Sequence, residues 1–366
     1  MTARSIAALC ITEHSDRPEA ETFIGLKNDG IDVHVFCSPH ARQYRRLLDA
    51  GVPVTPFEIN ERFDEKATEF IRAELRSRRY DVIHLLNNPT VFHGLAAARG
   101  FPVKVIVYRG IVGNVSVLNP ISWFRYLNPR VDRIVCVAEA IRRYFLGLRL
   151  LGWRLPPEKV VTIYKGHDLA WYRDPPVDLV PFGIPAGAFT VCCVANWRPR
   201  KGVEVLLEAF ALLPLEAPIH LVLAGEMQNK SLQKTIDSHP YRDRIHVLGV
   251  RQDAPALAAA CNVAVLPALR REGLPKTVIE AMAYGVPTIV TDVGGSPELV
   301  EHEVSGIVVP PGDRAMLAQA ILRMQQQPEL ARELGRRGRE RIQRDFSIRT
   351  TIERTAALYR ELVPPR

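Results

Sequence analysis

A chain of 366 residues, 47% hydrophobic and 24% charged, is long enough for two ordinary domains with separate cores. That composition excludes a disordered chain, and no apolar run approaches the roughly 18–20 residues of a membrane-spanning helix. The net charge of +8 is concentrated, with ten Lys/Arg against three acids in residues 101–160.

Strand-like runs alternate with helical periodicity from the start, the mark of a parallel α/β architecture. The first sixteen residues, MTARSIAALCITEHSD, read as a first strand rather than a secretory signal, which gives a cytoplasmic expectation. Further strands are expected at Asp32–Cys37, Val52–Phe57, Asp81–Leu85, Val103–Tyr108, Asp132–Val137 and Val160–Ile163. Helices are expected from about Pro18 to Asn28, capped by Ser15 or Asp16, and from Asp64 to Arg79. In residues 101–160 the cations alternate with Trp123, Phe124, Tyr126, Tyr144, Phe145 and Trp153. That pattern fits contact with an anionic membrane face or a phosphorylated acceptor, or a solvated basic face whose apolar residues turn to the core. No nucleic-acid motif accompanies the charge.

Trp171–Gly187, with four prolines and two glycines, reads as a linker. The pattern then restarts with strands at Thr190–Val194, Ile219–Ala224, Ile245–Leu248, Val263–Leu266 and Thr288–Val290. Helices are expected at Val203–Leu213 and Pro255–Ala260. Amphipathic helices follow from Ala315 to Arg344, and a last one runs from about Ile348 to Leu362. The six cysteines sit in or beside apolar runs with no C-x-x-C pair, which reads as buried thiols and no metal site.

Chemistry concentrates in the second half. Arg198, Arg200 and Lys201 follow a strand and precede a helix opened by Gly202, a place suited to a pyrophosphate. Glu272 lies on a loop after a strand and Glu280 eight positions later inside a helix, so both are expected at the strand C-termini, where open α/β sheets bind ligands. Carboxylates accept hydrogen bonds from vicinal hydroxyls. The Gly294–Gly295 turn is read as bare N–H groups cradling an anion. Structural alternatives are a Lys276–Glu280 pair one helical turn apart and a Glu272 pair with Arg270 or Arg271. Hydroxyl acceptors beside a phosphate site point to a sugar nucleotide.

These residues resemble the retaining glycosyltransferases of family 4. The resemblance is carried by ANWRPRKG (195–202), LVLAGE (221–226), VLGVRQD (247–253), EGLPKTVIEAMAYGVPTIVTDVGGSPELV (272–300) and SGIVVPPGD (305–313), with weaker pieces in the first half. It implies an α/β GT-B fold: two facing Rossmann-like domains with a cleft between them, and a C-terminal helix packing back on the first. The implied division is an acceptor-binding domain over 1–172, a linker at 173–187, a donor-binding domain over 188–345 and the crossing helix at 346–366. Arg198 and Lys201 would bind the donor diphosphate. Glu272 would hold a sugar hydroxyl beside the amides of Gly273, Leu274 and Pro275. Glu280 would hold the ribose, with Val250 or Arg251 flanking the base.

No protein nucleophile, cofactor or metal is implied. The expected partners are a UDP- or GDP-sugar donor and a saccharide or glycolipid acceptor in cell-envelope synthesis, with possible peripheral placement at the inner membrane face. A nucleotide-sugar 2-epimerase of the same fold and a non-catalytic glycan- or lipid-binding protein are the rivals. The acceptor side departs from the family pattern. The loop at 12–21 lacks glycine, and Tyr108-Arg109-Gly110 stands where many relatives carry a histidine. His14, Arg109 and Asn114 are the acceptor or cleft candidates, with His84 placed like His14 but equally readable as structural.

Overall fold

The computed structural model describes residues 5–61 and 63–363, which divide into two compact units. One ends at Gly166 and is rejoined from Phe346; the other is His167–Asp345. Each is built on a parallel sheet whose strands are apolar on both faces, as helix-covered parallel strands must be.

In the first unit the strands are β1 (Ala7–Ile11), β2 (Asp32–Cys37), β3 (Val54–Pro56), β4 (Val82–Leu85), β5 (Lys104–Arg109) and β6 (Arg133–Cys136). A separate antiparallel ribbon, β7 (Arg149–Leu150) with β8 (Trp153–Arg154), precedes the last sheet strand, β9 (Val160–Thr162). The sheet order is β3-β2-β1-β4-β5-β6-β9. Asp16 caps the helix Arg17–Asn28 by accepting from the Glu19 N–H, and Pro18 sits in its first turn, where its missing donor costs nothing. The C-terminal helix Ile348–Leu362 packs on this helix and places Ala356, Leu358 and Tyr359 in the core beside Phe23, Leu26 and Val33. Tyr359 is fully buried, and its hydroxyl lies 2.8 Å from Nδ1 of His84.

In the second unit β10 (Phe189–Val194), β11 (Ile219–Ala224), β12 (Ile245–Gly249), β13 (Val263–Leu266), β14 (Thr288–Thr291) and β15 (Ile307–Val309) pair in the order β12-β11-β10-β13-β14-β15. The order reverses between β10 and β13, so the loops leaving those two strands diverge and leave a crevice at the sheet's C-terminal edge. The core beneath joins Val191, Leu206, Leu221, Val263 and Ile289 to Leu317 and Ile321 of the helix Arg314–Gln326.

The units divide six residues before the expected domain boundary, and the proline-rich stretch does not stand apart as a linker. Tyr172 packs edge-on against Tyr284, the Val177 N–H donates to the Ala256 carbonyl, and Ile184 is buried in a cluster with Cys192, Val222 and Leu257. Its prolines stiffen a strap along the second unit. All six cysteines are buried free thiols, and among the described residues no helix is long and apolar enough to cross a membrane.

Candidate functional site

At the C-terminal edge of β10 and β13, a cavity of about 390 Å³ is lined by Asn196, Arg198, Arg200, Lys201, Gly225, Val250, Arg251, Glu272 and residues 274–277. Its walls are the loop and 3₁₀ turn after β10 and the loop after β13. Backbone contacts weld these walls together. The Leu269 N–H donates to the Arg200 carbonyl at 2.8 Å, and the second wall is tied in turn to the end of β14, where the Thr291 hydroxyl donates to the Ala268 carbonyl at 2.5 Å.

Two glycines permit this approach. Gly202 has φ +71°, and a Cβ there would fall 2.0 Å from the Pro267 carbonyl oxygen. Gly294 has φ +59°, and a Cβ there would fall 2.0 Å from the carbonyl oxygen of Glu272. The role expected for the Gly294–Gly295 turn is therefore corrected. The Gly295 N–H donates to the Gly273 carbonyl at 2.9 Å, and the helix it opens is only Ser296–Leu299. The turn braces the Glu272 loop instead of presenting bare donors to an anion.

Glu272 is buried, and its Oε2 lies 2.8 Å from Lys201 Nζ and 3.6 Å from the Arg200 guanidinium. Its partners are thus the cations across the crevice rather than Arg270 or Arg271. Arg198 is exposed at the cavity edge, and its guanidinium has no hydrogen bond or ion pair among the described residues. Glu280 is buried in the helix Lys276–Ala283, with Oε1 3.1 Å from Lys276 Nζ, so the expected pair one turn away does form. Leu274, Pro275 and Lys276 carry that helix's first turn to the cavity, where its opening N–H groups have no partner inside the helix. Val250 is exposed, and Arg251 is held by Asp253 and lies over the Phe182 ring. Cations on one wall therefore face a buried carboxylate and helix N–H groups on the other, an arrangement able to hold a diphosphate and a polyol side by side.

The first unit's candidates do not converge in this way. His14 and Asn114 are exposed on loops after β1 and β5, strands separated by β4 in the sheet, and Asn114 has φ +60°. Arg109 is buried: Nε donates to the Ile111 carbonyl at 3.0 Å, a terminal nitrogen donates to the Gly113 carbonyl, and the guanidinium lies 4.9 Å over the Tyr126 ring. Both of these hydrogen bonds turn it back onto its own loop. His84 is likewise structural, with burial pushing its pKa down to about 4.

A cluster that sequence reasoning missed stands at this sheet's C-terminal edge. Lys165, just beyond β9, lies 2.7 Å from Asp16 and 2.8 Å from Glu19, and its ammonium is 5.5 Å over the Tyr108 ring. Burial pulls its pKa down, but Glu19, Tyr108 and Asp16 outweigh that and hold it well above the ordinary value. Nothing in the spacing of residues 16, 19, 108 and 165 announces the group; only the sheet order assembles it.

Residues 178–341 match the family described as Glycosyl transferases group 1, and residues 21–171 match Glycosyltransferase Family 4. The chain is 26% identical to N-acetyl-alpha-D-glucosaminyl L-malate synthase of Bacillus anthracis, over 57% of this chain and 55% of that one, so it spans about half of that relative. It is 24% identical to UDP-Gal:alpha-D-GlcNAc-diphosphoundecaprenol alpha-1,3-galactosyltransferase of Escherichia coli, over 95% of this chain and 93% of that one. Among solved structures, Anabaena HepE in complex with UDP-glucose aligns with a TM-score of 0.78 at 20% identity, covering 97% of this chain and all (100%) of the other. That likeness is one of fold.

Proposed function

The chain belongs to glycosyltransferase family 4 and is a glycosyltransferase of GT-B fold; from that premise we propose that it moves a sugar from a nucleotide-sugar donor to a saccharide or glycolipid acceptor in cell-envelope polysaccharide synthesis, at the inner face of the membrane. The observation that carries the donor is the one cavity lined by Arg198, Arg200, Lys201 and Glu272, with Arg200 and Lys201 facing the Glu272 carboxylate. The neighbours support the same reading: a relative named for a UDP-Gal donor and an undecaprenol-linked acceptor, and a fold neighbour crystallised with UDP-glucose.

In this reading Arg198 and Lys201 take the donor diphosphate, and the first N–H groups of the helix Lys276–Ala283 share its charge. Glu272 accepts hydrogen bonds from sugar hydroxyls, and Glu280 accepts from the ribose. Val250 and Arg251 flank the base. The bond between the anomeric carbon and the diphosphate oxygen breaks as the acceptor oxygen bonds to that carbon from the side the diphosphate leaves. The acceptor proton passes to the departing diphosphate, and configuration is retained. The cations stabilise the charge that develops on the leaving group.

The test is a thermal-shift panel of UDP-, GDP-, ADP- and CMP-sugars, followed by transfer assays with the donor that binds. A ligand at one hundred times its Kd adds about 2.7 kcal/mol to the native state. A clear rise in Tm with a UDP- or GDP-sugar is expected; a flat response to all four sinks the donor assignment.

A further inference from the structure

Residues 149–154 fold into something more specific than a charged surface. The ribbon β7–β8 is closed by Leu151 and Gly152, with φ +46° and +82°, a two-residue turn of the primed kind. So short a ribbon cannot stand alone. It is fixed by Trp153 packing against Trp123, ring centroids 4.8 Å apart. Strand alternation puts Leu150 and Trp153 on one face and opposes Arg149 to Arg154 on the other.

An apolar surface adjoins it. Trp123 ends the short helix Pro120–Trp123, and its neighbours Ile121 and Phe124 line a pocket of about 240 Å³ with Phe63, Phe92 and Arg125. Leu151 at the ribbon tip is 100% exposed, Leu118 79%, Phe63 64% and Phe124 56%. Scattered apolar residues on a surface are ordinary, but a set gathered around a pocket and a ribbon tip marks a contact face.

Charge identifies the occupant. Like charges directly opposite on a ribbon repel, and an anion lying against them relieves the repulsion. Arg149 donates only to the carbonyls of Leu146 and Leu148, and Arg154 has no partner among the described residues. The acids of this stretch do not compensate. Asp132 pairs with Lys104 and Arg130, Glu139 pairs with Arg142, and Glu158 lies outside the ribbon. A leucine tip, then an indole, then a pair of guanidiniums is the order in which a bilayer presents acyl chains, interface and phosphates.

We propose that the ribbon Arg149–Arg154, with the pocket lined by Phe63, Phe92, Ile121 and Phe124, docks the first unit on an anionic lipid bilayer. This rests on the membrane-side placement proposed above and names the element responsible for it. The sequence pattern spread the contact over residues 101–160; the structure narrows it and removes Arg142, whose guanidinium is spent on Glu139 and the Val160 carbonyl.

The experiment is co-sedimentation of the full-length protein with vesicles of phosphatidylglycerol and phosphatidylcholine in equal parts, against phosphatidylcholine alone. Each arginine near an anionic surface is worth about fivefold in binding. Arg149→Glu with Arg154→Glu is expected to weaken binding to the anionic vesicles more than tenfold, and Leu151→Glu with Phe124→Ser to do the same. A blue shift of indole emission on vesicle binding, absent in Trp153→Phe, assigns the ribbon as the inserted element. Equal binding to neutral vesicles, or wild-type binding by both double variants, overturns the proposal. So does a dimer that Leu151→Glu dissociates while vesicle binding persists. Both double variants are expected to keep the wild-type thermal shift with the donor and wild-type transfer to a lipid-free acceptor, which excludes misfolding. If wild type itself transfers no sugar to any acceptor, the functional reading fails while the vesicle result stands on its own.

Discussion

Lys201 Nζ and Glu272 Oε2 lie 2.8 Å apart, joining the loop after β10 to the loop after β13. The lysine assigned to the donor diphosphate is thus held by the carboxylate assigned to the donor sugar. On the proposed assignment, a donor entering here exchanges this ion pair for two new sets of contacts, and each residue limits the affinity of the other for its ligand.

Glu272→Gln separates the two roles. It preserves shape, weakens the hydroxyl acceptor and releases Lys201 from its competing anion. Transfer is expected to fall roughly 10- to 100-fold, the cost of about 1.5–3 kcal/mol in charged hydrogen bonds. Affinity for the free nucleoside diphosphate is expected to rise at the same time. Titration calorimetry with the diphosphate, set beside transfer kinetics, reads both; a parallel loss in both shows that Glu272 serves only to hold the fold.

Lys201→Ala removes the cation proposed to meet the leaving group. A loss of roughly 100-fold or more in kcat/KM is expected, near the 2.7–4 kcal/mol typical of a lost charge-stabilising donor. Protein cations in this role also predict that transfer persists in EDTA. Complete inactivation by the chelator, restored by a divalent ion, would show that the diphosphate's charge is met in another way.

Gly294→Ala places a methyl group 2.0 Å from the Glu272 carbonyl oxygen at φ +59°. Strained backbone and overpacking together cost about 2–4 kcal/mol. In a unit of this size that corresponds to a Tm lower by roughly 5–10 °C. Transfer measured well below the melting transition is expected to fall as well, since the loop carrying Glu272 must shift. An unchanged Tm would show that the loops are not locked together as described.

His84 makes the first unit sensitive to acid. Its pKa, pushed down by burial to about 4, lies below the ordinary value, so the folded chain binds fewer protons than the unfolded one between those limits. Its neutral form is retained without penalty above about pH 6.5, and stability is lost as pH falls from there toward 4, by about 3 kcal/mol in full. Urea unfolding of wild type and His84→Leu at pH 7.5 and pH 5 should show the variant losing less stability on acidification. Parallel losses would place the acid sensitivity elsewhere.

The strands were readable because buried parallel strands are short apolar runs between polar turns. Asp32–Cys37, Ile219–Ala224 and Val263–Leu266 lie where the sequence puts them, as does the helix Ile348–Leu362. The second unit's cavity was readable for a related reason: its charged residues Arg198, Arg200, Lys201 and Glu272 come from two contiguous segments, after β10 and after β13, with Gly225, Val250 and Arg251 added from beyond β11 and β12. Three features were not. The close approach of Gly202 to Pro267 and of Gly294 to Glu272 joins backbones distant in sequence, and Gly-Gly before a helix looks the same whether its N–H groups face a ligand or a carbonyl. Arg109 followed by glycines resembles an anion site, but its guanidinium turns back onto Ile111 and Gly113. The ribbon Arg149–Arg154 has strands of two residues, too short for any alternation to register, and only the Trp123–Trp153 contact makes it a structure.

The C-terminal helix carries a consequence for biosynthesis. Tyr359 and its neighbours complete a core begun by residues synthesised hundreds of positions earlier, with the whole of His167–Asp345 in between. The second unit is therefore an insertion within the first. On the ribosome it can close its own core while the first unit still lacks its final helix. A nascent chain paused or cut near residue 345 would carry a finished second unit and an unfinished first one, with the surface that receives Tyr359 open to chaperones or proteases.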